Sequence, residues 1–438
     1  MNTDDMILIS VDDHVVEPPD MFENHVPSAY RDRAPRVVRK DDGTDVWVFE
    51  NTPVPNIALN AVVGRPPEEY GMEPTSFEQI RAGCYDVDAR IHDMNANGVL
   101  ASMCFPSFPS FSGSLFARQP DKKLAKVMLQ AYNDWHIDEW CGAYPGRFVP
   151  LSLPAIWDPH EMAAEVRRVA AKGCYAVSFT ENAEKLGYPS IHSDHWNPVW
   201  EACCDEGVVV CVHIGSAGGM VFTSMDSPVD VMITGQPIQI LGFASDLLWS
   251  PVLRRYPDIR FALSESGIGW IPYFLERADY VYKHHHAWTR QDFGNRLPSE
   301  VFREHVLTCF IDDAAGIHSR ETIGVDTIAW ECDYPHSDST WPHAPETLAR
   351  CLEDVSDDEV NKITHENAMR AFRFEAFKHR PREKCTVAAL RAESPDVDTS
   401  VQSQGGKPPA TDTGPVTTAD IVNQLAAVFT EVPADVGK

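Results

Sequence analysis

The sequence predicts an α/β protein, a (β/α)8 TIM barrel with a long insertion after the first strand and a C-terminal tail. Three observations carry that expectation. Eight short apolar, β-branched runs recur along the 438 residues, the pattern of parallel strands buried on both faces. Longer segments with apolar residues at helical spacing separate them, as crossover helices require. Acids and histidines fall where several of the runs end, the end at which barrels of this kind keep their chemistry.

In chain order the predicted strands are Ile7 to Val16, Val99 to Phe105, Phe148 to Ile156, Cys174 to Thr180, Val208 to Ile214, Ile259 to Glu265, Val306 to Ile311 and Thr327 to Cys332. Helical periodicity marks Asp86 to Asn95, Lys122 to Cys141, Pro159 to Ala171, Trp196 to Asp205, Pro237 to Leu248, Trp270 to Lys283 and Ile363 to Phe377. Asp158 before Pro159 is an N-cap ahead of a proline at the first helical position, and Ser193 or Asp194 serves the Trp196 helix in the same way. This assigns residues 1–380 to the barrel. The Pro-rich stretch 18–82 is an insertion placed to cover the barrel mouth. Residues 381–417, rich in Ser, Thr, Pro, Gly and Asp, read as a disordered linker. Within 418–438, Ile421, Leu425, Ala426, Val428 and Phe429 space as one amphipathic helix, suited to docking on the barrel or on a second subunit of a homo-oligomer.

Composition narrows the partners. With 43% hydrophobic and 23% charged residues, the chain has enough apolar side chain for a large core, which excludes global disorder. Its 65 acids against 37 bases, a net charge of -28, oppose binding to nucleic acid or to an anionic membrane surface. The N-terminal run from Met6 to Val11 is too short for a membrane span and lacks a basic flank, so a cytoplasmic location is expected. Eleven cysteines without framework spacing read as reduced thiols.

The chemistry-bearing positions follow from strand geometry. In Val11-Asp12-Asp13-His14 side chains alternate, so Asp12 and His14 share one side and Asp13 faces away. Further ends carry Glu181, His213, Glu265 and Asp333. A polar residue at one strand end is most simply a cap or a satisfied core group, but five such ends converging on one ring make a metal site. His336 is placed to orient substrate or accept a proton, or to brace a ligand carboxylate. Glu17 is either a proton carrier and ligand or a hydrogen bonder at the loop start. His195 organises a helix start, and His284, His285 and His286 sit at the back end of a helix, where cations complement the dipole. The loop bearing Phe105, Phe108 and Phe111, together with Trp341, suggests a small-molecule substrate with an apolar or aromatic part.

The segments VDDHVVEPPDMF, SFTENAEKLGYPSIHSDHWNP, VHIGS, ESGIGWIPYFLERAD and CDYPHSDSTWP resemble the amidohydrolase-2 group of the amidohydrolase superfamily, which holds the aminocarboxymuconate semialdehyde and γ-resorcylate decarboxylases. The resemblance runs from residue 11 to about 342 and implies metal ligands at Asp12, His14, His213 and Asp333. Two positions depart from the common pattern: Asp12 where His-x-His is usual, and Glu265 where many members carry a sixth-strand His. If Glu181 is a bridging carboxylate, six ligands are available and two ions can be held. Oxygen-rich ligation favours Fe or Mn over Zn.

Two reactions fit such a centre. In hydrolysis a metal-activated water attacks an amide, ester or thioester carbonyl while Asp333 takes and returns the proton. In non-oxidative decarboxylation the ion holds the substrate carboxylate and an acid protonates the carbon. The carboxylate-rich set leans the reading to hydrolysis. A third reading, a barrel scaffold without catalysis, predicts broken ligand positions, whereas Asp12, His14, His213 and Asp333 are all present.

Overall fold

Every one of the eight apolar runs forms a strand. A computed structural model describes residues 1–50, 52–54, 57–71, 73–218, 222–405 and 414–423. In chain order the strands are β1 (Ile9–Val15), β2 (Arg36–Arg39), β3 (Asp45–Phe49), β4 (Thr52–Val54), β5 (Ala101–Pro106), β6 (Phe148–Val149), β7 (Ala176–Phe179), β8 (Val209–His213), β9 (Arg260–Ser264), β10 (Val306–Phe310) and β11 (Ile328–Trp330). β1, β5 and β6 pair in parallel, as do β7 through β11 in sequence order. A parallel bridge between Ser152 and Val177 joins the two arcs at one seam. At the other, Asp333 N–H donates to Asp12 O (2.9 Å) and His14 N–H to Tyr334 O (2.6 Å). The ring is thereby a closed (β/α)8 barrel.

Local chemistry explains where the ladder thins. The third barrel strand, expected from Phe148 to Ile156, keeps ladder pairing only over Phe148–Val149, because Pro150 and Pro154 offer no N–H to a neighbour. Helix boundaries follow their caps. Asp86 accepts from Ala89 N–H ahead of Val87–Asn97, which ends at Gly98 in the left-handed region (φ 73°). Asp158 accepts from the N–H groups of His160 and Glu161 ahead of Pro159–Ala170, and Ser193 accepts from His195 N–H ahead of the turn that leads into Asn197–Glu206.

The insertion carries its own architecture. β2, β3 and β4 form an antiparallel sheet whose centre, β3, is wholly buried. Trp47 of β3 stacks on Phe108 at 4.3 Å between ring centroids. Nearer the last strand, Val62 and Val63 both donate N–H to Pro335 O (3.0 Å each), and Asn60 Nδ2 donates to Ser337 Oγ (3.1 Å). These contacts fasten the insertion over the loops after β5 and β11, at the carboxyl ends of the strands.

The expectation of a linker beginning at Pro381 fails over its first part. Helix Val387–Arg391 buries Val387 and Leu390, Val387 N–H donates to Met6 O (2.9 Å), and Arg391 Nη1 pairs with Glu346 Oε1 (2.5 Å). Two apolar side chains three apart suffice to seat this turn on the barrel, a signal outweighed in the sequence by polar composition. Gln402 N–H reaches Gly64 O, and residues 414–423 lie along 225–229 through hydrogen bonds between Val229 N–H and Val416 O and between Thr418 N–H and Ser227 O. The expected helix over 418–438 lies beyond the described residues from 424 onward. Among the described residues no helix is long and apolar enough to cross a membrane.

Candidate metal centre

The site starts from an irregularity in β1. Ser10 is in register with Ser102 and Asp13 with Cys104, so Val11 and Asp12 together stand against the single residue Met103. Such a bulge bends the strand and re-aims its side chains. Asp13 turns outward and is fully satisfied, accepting from Ser10 Oγ (2.9 Å), Ser102 Oγ and Tyr334 N–H (3.0 Å). Asp12 and His14 turn to the barrel mouth and are wholly buried.

Around them the ring brings His213 from the end of β8, Glu265 from just after β9 and Asp333 from just after β11. His14 Nε2 lies 3.6 Å from Asp12 Oδ1 and 3.3 Å from Asp333 Oδ1. His213 Nε2 lies 3.6 Å from Asp12 Oδ2 and 3.3 Å from Glu265 Oε2. These separations are too long for good hydrogen bonds. Two atoms each ~2.1 Å from a common ion stand about 3.0 Å apart at a right angle and about 3.4 Å apart at a tetrahedral one. The spacing therefore fits donors around a cation. Both oxygens of Asp12 and of Asp333, both ring nitrogens of His14 and Nε2 of His213 are buried without a hydrogen-bond partner. A native core rarely leaves so many polar atoms unmet in one place, and a divalent cation meets the carboxylate oxygens and the Nε2 atoms that converge there.

The electrostatics agree. Burial pushes the carboxyls of Asp12, Asp333 and Glu265 well above the ordinary range, and neighbouring carboxylates raise them further. Burial also pulls His213 down to about 3 and His14 well down, which leaves neutral imidazoles with lone pairs to offer. His213 Nδ1 donates to Ile214 O (2.6 Å), which directs Nε2 at the centre. Asp333 and Glu265 hold φ of 57° and 53°, a left-handed conformation costing about 1 kcal/mol or more for a side-chain-bearing residue, and such strain gathers where function fixes a side chain.

His336 completes the cluster. Its Nδ1 is 2.9 Å from Asp333 Oδ1, and its ring stacks on His14 at 3.7 Å. Phe111 packs 4.0 Å from the His213 ring and 5.1 Å from that of His14, with Phe105 at 5.0 Å from His213, so an aromatic wall stands against the imidazoles. Arg90, fully buried, braces the site from behind: its guanidinium donates to Gly83 O (2.6 Å) and His14 O and lies 4.2 Å over the Tyr334 ring. A cavity of about 530 Å3 opens beside Glu265. Another, of about 610 Å3, lies at the far end of the ring, where β8, β9 and β10 begin with Val209, Arg260 and Val306 and no candidate ligand reaches.

A family model described as amidohydrolase matches residues 81–374. The chain belongs to the amidohydrolase family. It is an enzyme of that superfamily, on a barrel shared with solved structures at low identity. An amidohydrolase from Mycobacterium avium subsp. paratuberculosis K-10 is 20% identical, with 84% of this chain and 97% of that one covered at a TM-score of 0.65. A 5-carboxyvanillate decarboxylase from Sphingomonas paucimobilis is 20% identical, covering 84% and 100% at a TM-score of 0.59. A 5-carboxyvanillate decarboxylase from Novosphingobium aromaticivorans DSM 12444, complexed with manganese and 4-hydroxy-3-methoxy-5-nitrobenzoic acid, is 19% identical, covering 85% and 99% at a TM-score of 0.57. No curated protein matches the sequence.

In this amidohydrolase Glu181, Phe108 and Trp341 stand apart from the cluster, while His195 and the tract 284–286 take the structural places expected of them. Glu181 lies two residues beyond β7 and joins neither group of clustered ligand atoms. Its N–H donates to Ser216 Oγ (2.8 Å), and hydrogen bonds from the Gly215 and Ala217 backbone only partly offset the rise that burial imposes on its carboxyl. His195 packs edge-on against Trp196 at a helix start. His284 and His286 donate Nδ1–H to Tyr280 O and Tyr282 O on an exposed helix, and among the described residues no metal-type group includes them. Phe108 is core, packed on Trp47 and Phe116. Trp341 is also structural, with Nε1 donating to Asp93 O (3.1 Å) and Arg81 at 4.3 Å over its ring. Glu331, unremarked in the sequence, is buried beneath the centre, accepting from Glu265 N–H (3.1 Å) and Cys309 Sγ (2.6 Å). An acid interrupting the apolar run Ile328-Ala329-Trp330 was the available signal.

Glu17 is a clamp. Its carboxylate accepts from Ser107 N–H (3.0 Å), Phe108 N–H (2.8 Å) and Tyr132 Oη (3.1 Å), holding the loop that carries Phe111. Glu17→Ala leaves three buried donors unmet and is expected to lower stability by about 2–4 kcal/mol in urea unfolding. Burial pushes the Glu17 carboxyl up to about 7. A carboxyl raised on folding contributes stability below its unfolded value that is lost as pH rises through the folded one. Glu17→Gln is therefore expected to gain on the wild type between about pH 5 and 8, and a constant difference across that range would refute the clamp's assigned titration.

Proposed function

We propose that the protein is a single-ion, metal-dependent decarboxylase that removes CO2 from an aromatic or unsaturated carboxylic acid without oxidation. The observation that carries this reading is the aromatic wall of Phe105 and Phe111 set directly against the His14 and His213 rings. A flat substrate held by its carboxylate at the centre lies along that wall. Glu181 joins neither group of clustered ligand atoms, which favours one ion over a two-ion, hydroxide-bearing hydrolase. Hydrolysis of an amide, ester or thioester thus becomes the second reading. The decarboxylases among similar solved structures, one with manganese and a nitrobenzoic acid bound, support the first.

Asp12, His14, His213 and Asp333 would hold the ion, with Glu265 at its edge. Three carboxylates against two imidazoles favour manganese or iron over zinc. When bound, the ion supplies a Lewis acid for the substrate carboxylate and a neighbouring oxygen. The chain's own groups do the rest. Phe105 and Phe111 exclude water and fix the ring plane. The Asp333 and His336 pair, in contact at 2.9 Å, supplies a proton to the carbon that keeps the electron pair as its bond to the carboxylate breaks. The balance is one carboxylate and one proton in, one C–H product and CO2 out.

Manganese-loaded protein should release CO2 from a panel of hydroxylated aryl carboxylates and, in D2O, place one deuterium at the vacated carbon. Acid production from amides or thioesters, with water oxygen in the product and no CO2, reverses the order of the two readings.

A further inference from the structure

The cavity beside Glu265 has an unusual lining for an enzyme that binds a carboxylate. Glu265, Asp312, Asp313, Glu331 and Asp338 border it, and no lysine or arginine does. Asp313 is spoken for, accepting from the N–H groups of Ile268 (2.8 Å), Gly269 (2.6 Å) and Gly316 (2.8 Å). The others are not. Among the described residues Asp312 and Asp338 enter none of the ion pairs with Lys, Arg or His, and Glu331, only 1% exposed, presents an Oε1 with no hydrogen-bond partner. That buried, unmet acceptor on the cavity wall calls for a donor from outside the chain.

Charge counting sharpens the demand. Asp12, Asp333 and Glu265 outnumber a divalent ion by one negative charge before any substrate arrives. A substrate carboxylate adds another, and Asp338 stands on the same cavity wall as Glu265. A second anionic group at the far end of the substrate would meet only like charge there, which discriminates against it without any clash of shape. A positive group meets Glu331 Oε1, Asp312 and Asp338, with Thr340 on the same wall.

Resting on the decarboxylase reading, we propose that this cavity receives the end of the substrate remote from the scissile carboxylate, and that this end bears a protonated amine or a comparable cationic N–H group. The substrate class is then an amino-substituted aromatic or unsaturated acid, with Asp338 as a specificity-determining residue. Acidic side chains set this preference.

Calorimetry separates this inference from the function it rests on. Manganese-loaded protein is titrated with three matched ligands of one length: 4-(aminomethyl)benzoate, benzoate and benzene-1,4-dicarboxylate. Tightest binding is expected for the ammonium ligand and weakest for the dicarboxylate. Asp338→Asn should narrow the gap between ammonium ligand and benzoate by about three- to fivefold, the scale of a partly exposed ion pair, and Asp338→Lys should invert the order of the two charged ligands. Metal-dependent benzoate binding with the dicarboxylate equal to or tighter than the ammonium ligand, or an order unmoved by Asp338→Lys, overturns the cationic preference and leaves the decarboxylase reading standing. Benzoate binding indifferent to manganese, or no binding by any of the three, overturns both.

Discussion

Asp333→Asn is expected to abolish turnover while leaving the barrel folded. Asp333 does two things at one place. It offers a buried, unpartnered carboxylate to the ion, and through Oδ1 it contacts His336 Nδ1 at 2.9 Å. The amide of Asn coordinates weakly and carries no charge to hold a proton on His336, so the proton-transfer contribution alone, about 10²- to 10⁴-fold in rate, is lost in addition to ion affinity. The backbone tolerates the change, because Asp333 sits at φ 57° and Asn adopts that conformation as readily as any residue with a side chain. The metal-free variant should be at least as stable as the metal-free wild type, since one of the mutually repelling buried carboxyls has been neutralised. The distinguishing measurements are CO2 release at saturating manganese, manganese per chain by elemental analysis, and melting temperature without metal. Full metal occupancy with undiminished turnover would remove Asp333 from the reaction altogether.

The legibility of this site in the sequence follows from the geometry of strands. Asp12, His14 and His213 were readable because a strand's alternation fixes which side chains share a face, and because β8 ends on His213 itself. The same logic reaches less far at Glu181, where β7 stops at Phe179, two residues before the carboxylate. Alternation holds only while the ladder does. Asp333 also lies beyond its strand, yet the hydrogen bond from its N–H to Asp12 O returns it to the centre. That tie is a tertiary contact across more than three hundred residues and has no local signature. The antiparallel sheet of the insertion did have one: Asp41-Asp42-Gly43 between Arg36–Arg39 and Asp45–Phe49 is a turn flanked by β-branched and aromatic residues. Prolines on either side obscured it. Glu17 shows a different failure, since a buried acid near a metal site and a buried acid clamping a loop carry the same sequence signal until their partners are known.

Removing the ion is expected to cost stability in a way that depends on pH. At a thousandfold excess over its Kd, a ligand that binds only the folded state adds about 4 kcal/mol, which for a chain of this size raises the melting temperature by several degrees. The sign of the pH dependence follows from the shifts at the centre. Without metal, the carboxyls of Asp12, Asp333 and Glu265 are raised on folding, so the native state holds protons the unfolded chain has given up, and stability falls as pH climbs from the ordinary carboxylate range toward the folded values. His14 and His213 are lowered and oppose this trend only below the ordinary imidazole value, above which they are neutral in both states. The bound ion keeps the carboxylates ionised and displaces those protons. Each proton displaced widens the gap between loaded and chelated protein by about 1.4 kcal/mol per pH unit. Paired melting curves with manganese and with chelator should therefore diverge from pH 5 to pH 8. Curves that stay parallel, or converge as pH rises, would mean that these buried carboxyls do not meet an ion, and the ring of strand ends would have to be read as a sealed polar core.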